Sequence, residues 1–94
     1  MADAAPLTCL YVLVKGRVQG VGFRWFVRER AEALGLAGWV RNREDGAVEA
    51  EVEGERRAVE DFIASLRRDH PVARVDSIVT RPAAVCNEVG FTIK

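Results

Sequence analysis

The sequence predicts an α+β sandwich built in the order β-α-β-β-α-β, with two helices packed on one face of an antiparallel sheet. Three observations carry this. The apolar pattern changes twice from a strand pattern to a helical one. Glycine or proline punctuates the changes. Within residues 47–53, Val48, Ala50 and Val52 alternate with Glu49, Glu51 and Glu53 in period two.

The first strand is the run Cys9-Leu10-Tyr11-Val12-Leu13-Val14, dense in β-branched and aromatic residues and ending at Lys15-Gly16. Gly16-Arg17-Val18-Gln19-Gly20-Val21-Gly22 follows, with three glycines in seven residues, and reads as a loop. From Phe23 the period becomes helical. Phe23, Phe26, Val27, Ala31 and Leu34 share one face, Arg28, Glu29, Arg30 and Glu32 populate the rest, and Gly35 supplies a left-handed stop.

Leu36 to Arg41 is the second strand, and the loop Asn42-Arg43-Glu44-Asp45-Gly46 closes with the Asp-Gly of a hairpin. In the third strand, Ala47 to Glu53, the buried face is Val48, Ala50 and Val52 and the wet face is Glu49, Glu51 and Glu53; Gly54 ends it. Val59, Phe62, Ile63 and Leu66 form a second amphipathic helix that stops near His70-Pro71. Val72 to Arg81 is a fourth strand, and Gly90 to Lys94 adds a short fifth. This order is the ferredoxin-like arrangement, which hosts enzymes, metal carriers, RNA binders and regulatory domains alike.

The 94 residues suit a single domain, read as 7–94 behind a short frayed tail, 1–6. Lys and Arg together number 14, and so do Asp and Glu, so the chain lacks the basic excess typical of polyanion binders. Any positive site must be local, and nucleic acid is not an expected partner. No apolar run approaches the ~20 residues of a membrane helix, and the first six residues do not resemble a signal peptide. Cys9 and Cys86 stand far apart and His70 is the lone histidine, a composition that argues against a zinc site and for a reduced, cytosolic protein. A monomer is expected because the sequence shows no exposed apolar stripe.

The chemistry concentrates in the glycine loop because of its position between a buried strand and a helix start. Backbone N–H groups of such a turn can converge on one concavity, and the free N–H groups of the helix terminus add to it. The product is a cradle for a phosphoryl group. Arg24, in the first helical turn, leans toward the N-terminus and can pair two phosphate oxygens, with Lys15 and Arg17 adding charge nearby. The same residues also fit a plain glycine-rich turn with surface arginines. The loop has neither the Gly-Lys-Ser/Thr of a nucleotide P-loop nor GxGxxG spacing.

Gly16-Arg17-Val18-Gln19-Gly20-Val21-Gly22-Phe23-Arg24 closely resembles the first signature of the acylphosphatase family. Gly38-Trp39-Val40-Arg41-Asn42, followed by Gly46-Ala47-Val48 and Gly54, resembles the second at the family's own spacing. The resemblance runs from about Leu10 to Lys94 and implies a metal-free, cofactor-free hydrolase of acyl phosphates on the ferredoxin-like sandwich. It implies that Arg24 binds the phosphate and Asn42 orients the attacking water. The cradle would be the backbone of Arg17, Val18, Gln19, Gly20, Val21 and Gly22, reaching Phe23 and Arg24, with Gln19 shaping the loop. Substrates of the acetyl, carbamoyl or glyceroyl phosphate type are implied, with inorganic phosphate as an inhibiting product. Arg43 departs from the pattern, standing where some members carry a small hydroxyl residue.

Bland alternatives accompany these roles. Asn42 can shape a hairpin loop and Arg24 can be a solvated helix arginine. His70 reads as a partner of its helix dipole, Cys9 as a small buried residue and Cys86 as a loop residue, with a mutual disulfide as the alternative for the two cysteines. Phe23 and Phe26 read as core and Trp25 as partly exposed; all three start a helix, unlike the strand aromatics that stack on RNA. The alternative to an enzyme is a non-catalytic anion-binding or regulatory module that keeps the same cradle.

Overall fold

The computed structural model describes residues 7–85 and 89–94; the expected tail and Cys86 lie outside these. The elements are β1 (Leu7–Arg17), α1 (Phe23–Ala33), β2 (Ala37–Asn42), β3 (Val48–Glu55), α2 (Arg56–Arg68), β4 (Arg74–Pro82) and β5 (Phe91–Ile93). They form one sheet of order β4-β1-β3-β2-β5. The first four strands pair antiparallel, as expected of the ferredoxin-like class. The fifth differs: β5 runs parallel to β2, because the chain leaves β4 at one edge and returns at the other.

Both helices cover the same sheet face. Val12 and Val14 of β1, Val40 of β2 and Val48, Ala50 and Val52 of β3 meet Phe23, Val27 and Ala31 of α1 and Val59, Phe62 and Leu66 of α2. Each fully buried Val, Leu or Phe contributes about 1.5–3 kcal/mol relative to exposure. Phe91 of β5 closes one end, its ring centroid 6.4 Å from that of Phe62.

Five local expectations are corrected. The first strand does not stop at Gly16: Gly16 and Arg17 pair with Val75 and Arg74 beyond a register shift at Lys15/Gly16. That shift presses Gly16, at φ 141°, against the Arg74 carbonyl, where a Cβ would overlap it. Asn42 is not in the hairpin loop but ends β2, paired with Val48. Gly54 does not break β3; its missing side chain makes room for Leu36, and α2 follows directly at Arg56.

The fourth correction concerns the acidic face of β3. Glu49 and Glu53 are only 4% and 5% exposed. Strand β3 is central, so on the face opposite the helices its carboxylates are walled in by side chains from β1 and β2. Glu49 accepts from the Tyr11 hydroxyl at 2.5 Å and pairs with the guanidiniums of Arg41 and Arg43. Burial would raise its pKa, yet the hydrogen bonds from Tyr11 and Arg41 and the charges of Arg41 and Arg43 together hold it below the usual glutamate value.

His70 also behaves differently from its expected role. Its Nδ1 accepts from the backbone N–H groups of Val72 (3.1 Å) and Ala73 (2.9 Å), shaping the turn into β4 rather than meeting the carbonyls of α2. Pro71 has already ended the helical run, so the imidazole satisfies donors downstream. The ring stands edge-on to Phe26 at 5.1 Å. Cys9 is buried in β1, as expected.

Candidate active site

The loop between β1 and α1 is held from within. Val18, at its centre, is 1% exposed and packs in the hydrophobic core. The Gln19 amide nitrogen donates to the carbonyl oxygens of Arg43 at 2.8 Å and Ala47 at 2.9 Å, binding the loop to both sides of the β2–β3 hairpin. Gly20 and Gly22 adopt left-handed backbone at φ 77° and 75°. Such residues turn successive N–H groups toward one side, at little cost only for glycine.

Gly22 also begins α1. The first helical bond runs from the Phe26 N–H to the Gly22 carbonyl at 3.1 Å, so the N–H groups of residues 23–25 have no acceptor within the helix. No side chain caps this end, and its first turn contains no acidic residue. The positive end of the helix dipole therefore meets the loop without a built-in counter-charge.

A cavity of about 240 Å³ opens at this junction, lined by Val18, Gly20, Gly22, Phe23, Arg24, Trp25 and Asn42. Arg24 comes from the first turn of α1. Asn42 comes from the end of β2, on the sheet face that α1 covers, because it shares that face with core residue Val40 by strand alternation. Residues 18 apart in sequence thus line one cavity. Among the described residues, neither side chain is held by a hydrogen bond or ion pair to another, so both retain their polar groups for a ligand.

Not every predicted cradle residue lines this space. Arg17 is exposed at the end of β1, while Gln19 and Val21 stand behind the loop, Gln19 in its clamp and Val21 packed against the core. Phe23 does line it, but as a core residue, with its ring 5.8 Å from that of Phe26. Lys15 faces a separate hollow with Asp45 and Gly46. Arg43 points away from the cavity, held by Asp45 at 3.2 Å and Glu49 at 3.4 Å. Sequence reasoning did not place Trp25 at the cavity; its signal was an aromatic beside Arg24 off the apolar face of the helix.

A wider hollow of about 450 Å³ lies on the other side of Asn42, lined also by Arg41, Arg43, Glu44, Asp45 and Glu49. Its arginines are already neutralised by their carboxylate neighbours. Among the described residues, the smaller cavity has a guanidinium, an amide and backbone donors and no carboxylate, so it is the one suited to a phosphoryl group. Among the described residues no grouping of His, Cys, Asp and Glu could hold a metal ion. None of their helices is long and apolar enough to cross a membrane.

Comparison with known proteins identifies the family and the fold. The acylphosphatase family model matches residues 10–93. An acylphosphatase of Rhizorhabdus wittichii is 52% identical over 99% of this chain and 94% of that protein. One of Rhodospirillum rubrum is 47% identical over 90% of this chain and 93% of its own length. The crystal structure of the Bacillus subtilis acylphosphatase has a TM-score of 0.90 at 38% identity, covering 95% of this chain and 99% of that one.

Proposed function

This chain belongs to the acylphosphatase family, hydrolases of acyl phosphates, and we propose that it performs that reaction without a metal ion, holding phosphate with Arg24 and water with Asn42. The observation that carries the reading is the convergence of Arg24 and Asn42 on one cavity floored by the glycine loop.

An acyl phosphate is an activated anhydride with a good carboxylate leaving group. Catalysis then rests on positioning and on stabilising charge as the phosphorus–oxygen bond breaks. In this reading the loop N–H groups, the α1 terminus and the Arg24 guanidinium bind the phosphoryl oxygens. The Asn42 amide is not basic enough to take a proton at neutral pH; it holds the water in line by hydrogen bonds. Attack at phosphorus expels the carboxylate, and the water's proton passes to a phosphoryl oxygen, giving a carboxylate and inorganic phosphate. Among the described residues, no carboxylate or imidazole lines the cavity to act as a base.

The proposed substrates are small acyl phosphates of the acetyl, carbamoyl or glyceroyl type, acted on by a cytosolic monomer and inhibited by product phosphate. The test is steady-state hydrolysis of acetyl phosphate and benzoyl phosphate, with and without chelator, and with phosphate as competitor. Chelator-insensitive turnover, competitively inhibited by phosphate, is expected. Turnover lost on chelation would overturn the metal-free scheme. No turnover, with phosphate still raising the melting temperature, would return the chain to the anion-binding alternative.

A further inference from the structure

Trp25 is 60% exposed, an unusual position for the largest apolar side chain, and it stands at the rim of the cavity that Arg24 and Asn42 line. We propose that its ring is the platform for the acyl group, and that it favours an aromatic or bulky apolar acyl phosphate over a small one. The inference rests on the acyl-phosphate reading above and names the substrate class within it.

The neighbours argue for an apolar occupant. The Arg28 guanidinium lies 5.5 Å from the indole centroid, one helical turn along α1, and steadies the ring by a cation–π contact. Arg28 is itself paired with Glu32 at 3.3 Å, so its charge is largely answered before a ligand arrives. An acyl group bearing a second anion would find little uncompensated positive charge there, whereas a flat or apolar group gains contact area on the indole. The position of the ring fits such contact. With the phosphoryl group on the loop and the α1 terminus, residue 25, next to Arg24 in the same turn, borders the way out for the acyl portion.

The ring also supplies a reporter. The chain contains two tryptophans, and Trp39 lies on the opposite sheet face beneath Arg41 and Lys94. In a Trp39→Phe background the emission comes from Trp25 alone. Titration with benzoylmethylphosphonate, in which a methylene replaces the anhydride oxygen, is expected to change that emission more than titration with the acetyl counterpart, acetonylphosphonate. Equal responses, or none, would overturn the platform.

Kinetics provide the second arm. Trp25→Ala is expected to lower the ratio of kcat/KM for benzoyl phosphate to that for acetyl phosphate by roughly three- to tenfold, mainly through KM, and Trp25→Phe to recover most of it. An unchanged ratio, or a wild-type preference for an acyl phosphate carrying a second carboxylate, would overturn the proposal. If the wild type hydrolyses neither substrate, the acyl-phosphate reading fails, while the fluorescence arm still reports whether Trp25 borders an aryl phosphonate site.

Discussion

The side-chain amide of Gln19 donates to the backbone carbonyl of Arg43 at 2.8 Å, across 24 residues of sequence. Arg43 directly follows Asn42, so this bond, with its companion to Ala47, links the cradle loop to the strand end that presents the proposed water-holding amide. In the proposed mechanism this side chain helps to fix the separation of the phosphate and water sites. Gln19→Ala is expected to lower kcat by about tenfold or more, since small misplacements of reacting groups are costly. Gln19→Glu should be worse, because a carboxylate would face two carbonyl oxygens. Equal kcat in wild type and both variants would dismiss the clamp.

Arg24 and Asn42 are expected to separate binding from turnover. Arg24→Ala should abolish both phosphate binding and hydrolysis, and Arg24→Lys should restore little, because an ammonium cannot make the bidentate pair. Asn42→Ala should spare phosphate binding while lowering kcat by roughly 10²–10³. Phosphate affinity by calorimetry, set beside kcat, checks both. Full activity in Asn42→Ala would remove the water-positioning role.

Val18 ties the loop to the core, so its truncation should be felt in stability and in activity. Val18→Ala removes two buried methyl groups, an expected loss of about 2 kcal/mol. Urea denaturation measures the first effect and the phosphate inhibition constant the second. A destabilised variant that binds phosphate normally would show that the cradle does not depend on this anchor.

Acid should loosen the outer sheet face. The pKa values of Glu49 and Asp45 lie below their ordinary values, Asp45 chiefly because it accepts the Ala47 N–H at 3.0 Å. For such groups the unfolded chain binds protons first as pH falls, so their contribution is present above about pH 4.5 and 3.8, the unperturbed values, and is lost as pH drops through the lower folded values. The melting temperature is expected to fall steeply below about pH 4.5 in the wild type and less steeply in Glu49→Gln. Parallel curves for the two proteins would assign the acid transition to other groups.

Alkali acts at the same cluster with the opposite sign. Burial first, and then the hydrogen bond to Glu49, raise the Tyr11 pKa above 10.0. Its contribution is present below pH 10 and is lost as pH rises through the higher folded value. Tyr11→Phe should flatten the alkaline side of the stability profile, as followed by thermal melts between about pH 9 and 11.

Much of this was legible in the chain because it is local. The helical spacing of Val59, Phe62 and Leu66 and the alternation of Val48, Ala50 and Val52 each select one face of one element, and all six are buried. Gly20 and Gly22 announced a turn with unusual backbone, and both adopt it. The fates of Glu49 and Glu53 were not legible. Alternation places a side chain on a face, but whether that face is wet depends on which strands flank it, and β3 is central. Gly16 and Gly54 misled for a related reason: each accommodates a close neighbour, the Arg74 carbonyl and the Leu36 side chain, that sequence does not show.

By itself, then, the sequence determined the elements, their order and the residue types available for binding a phosphoryl group, since these depend on contacts within a few residues. Only the tertiary structure decided that Arg24 and Asn42 line the same cavity, that Gln19 bridges to the hairpin and that Arg43 turns toward Glu49 instead. Those relationships join elements distant in sequence. They arise from burying the face of α1 against the sheet, which brings its N-terminus to the end of β2.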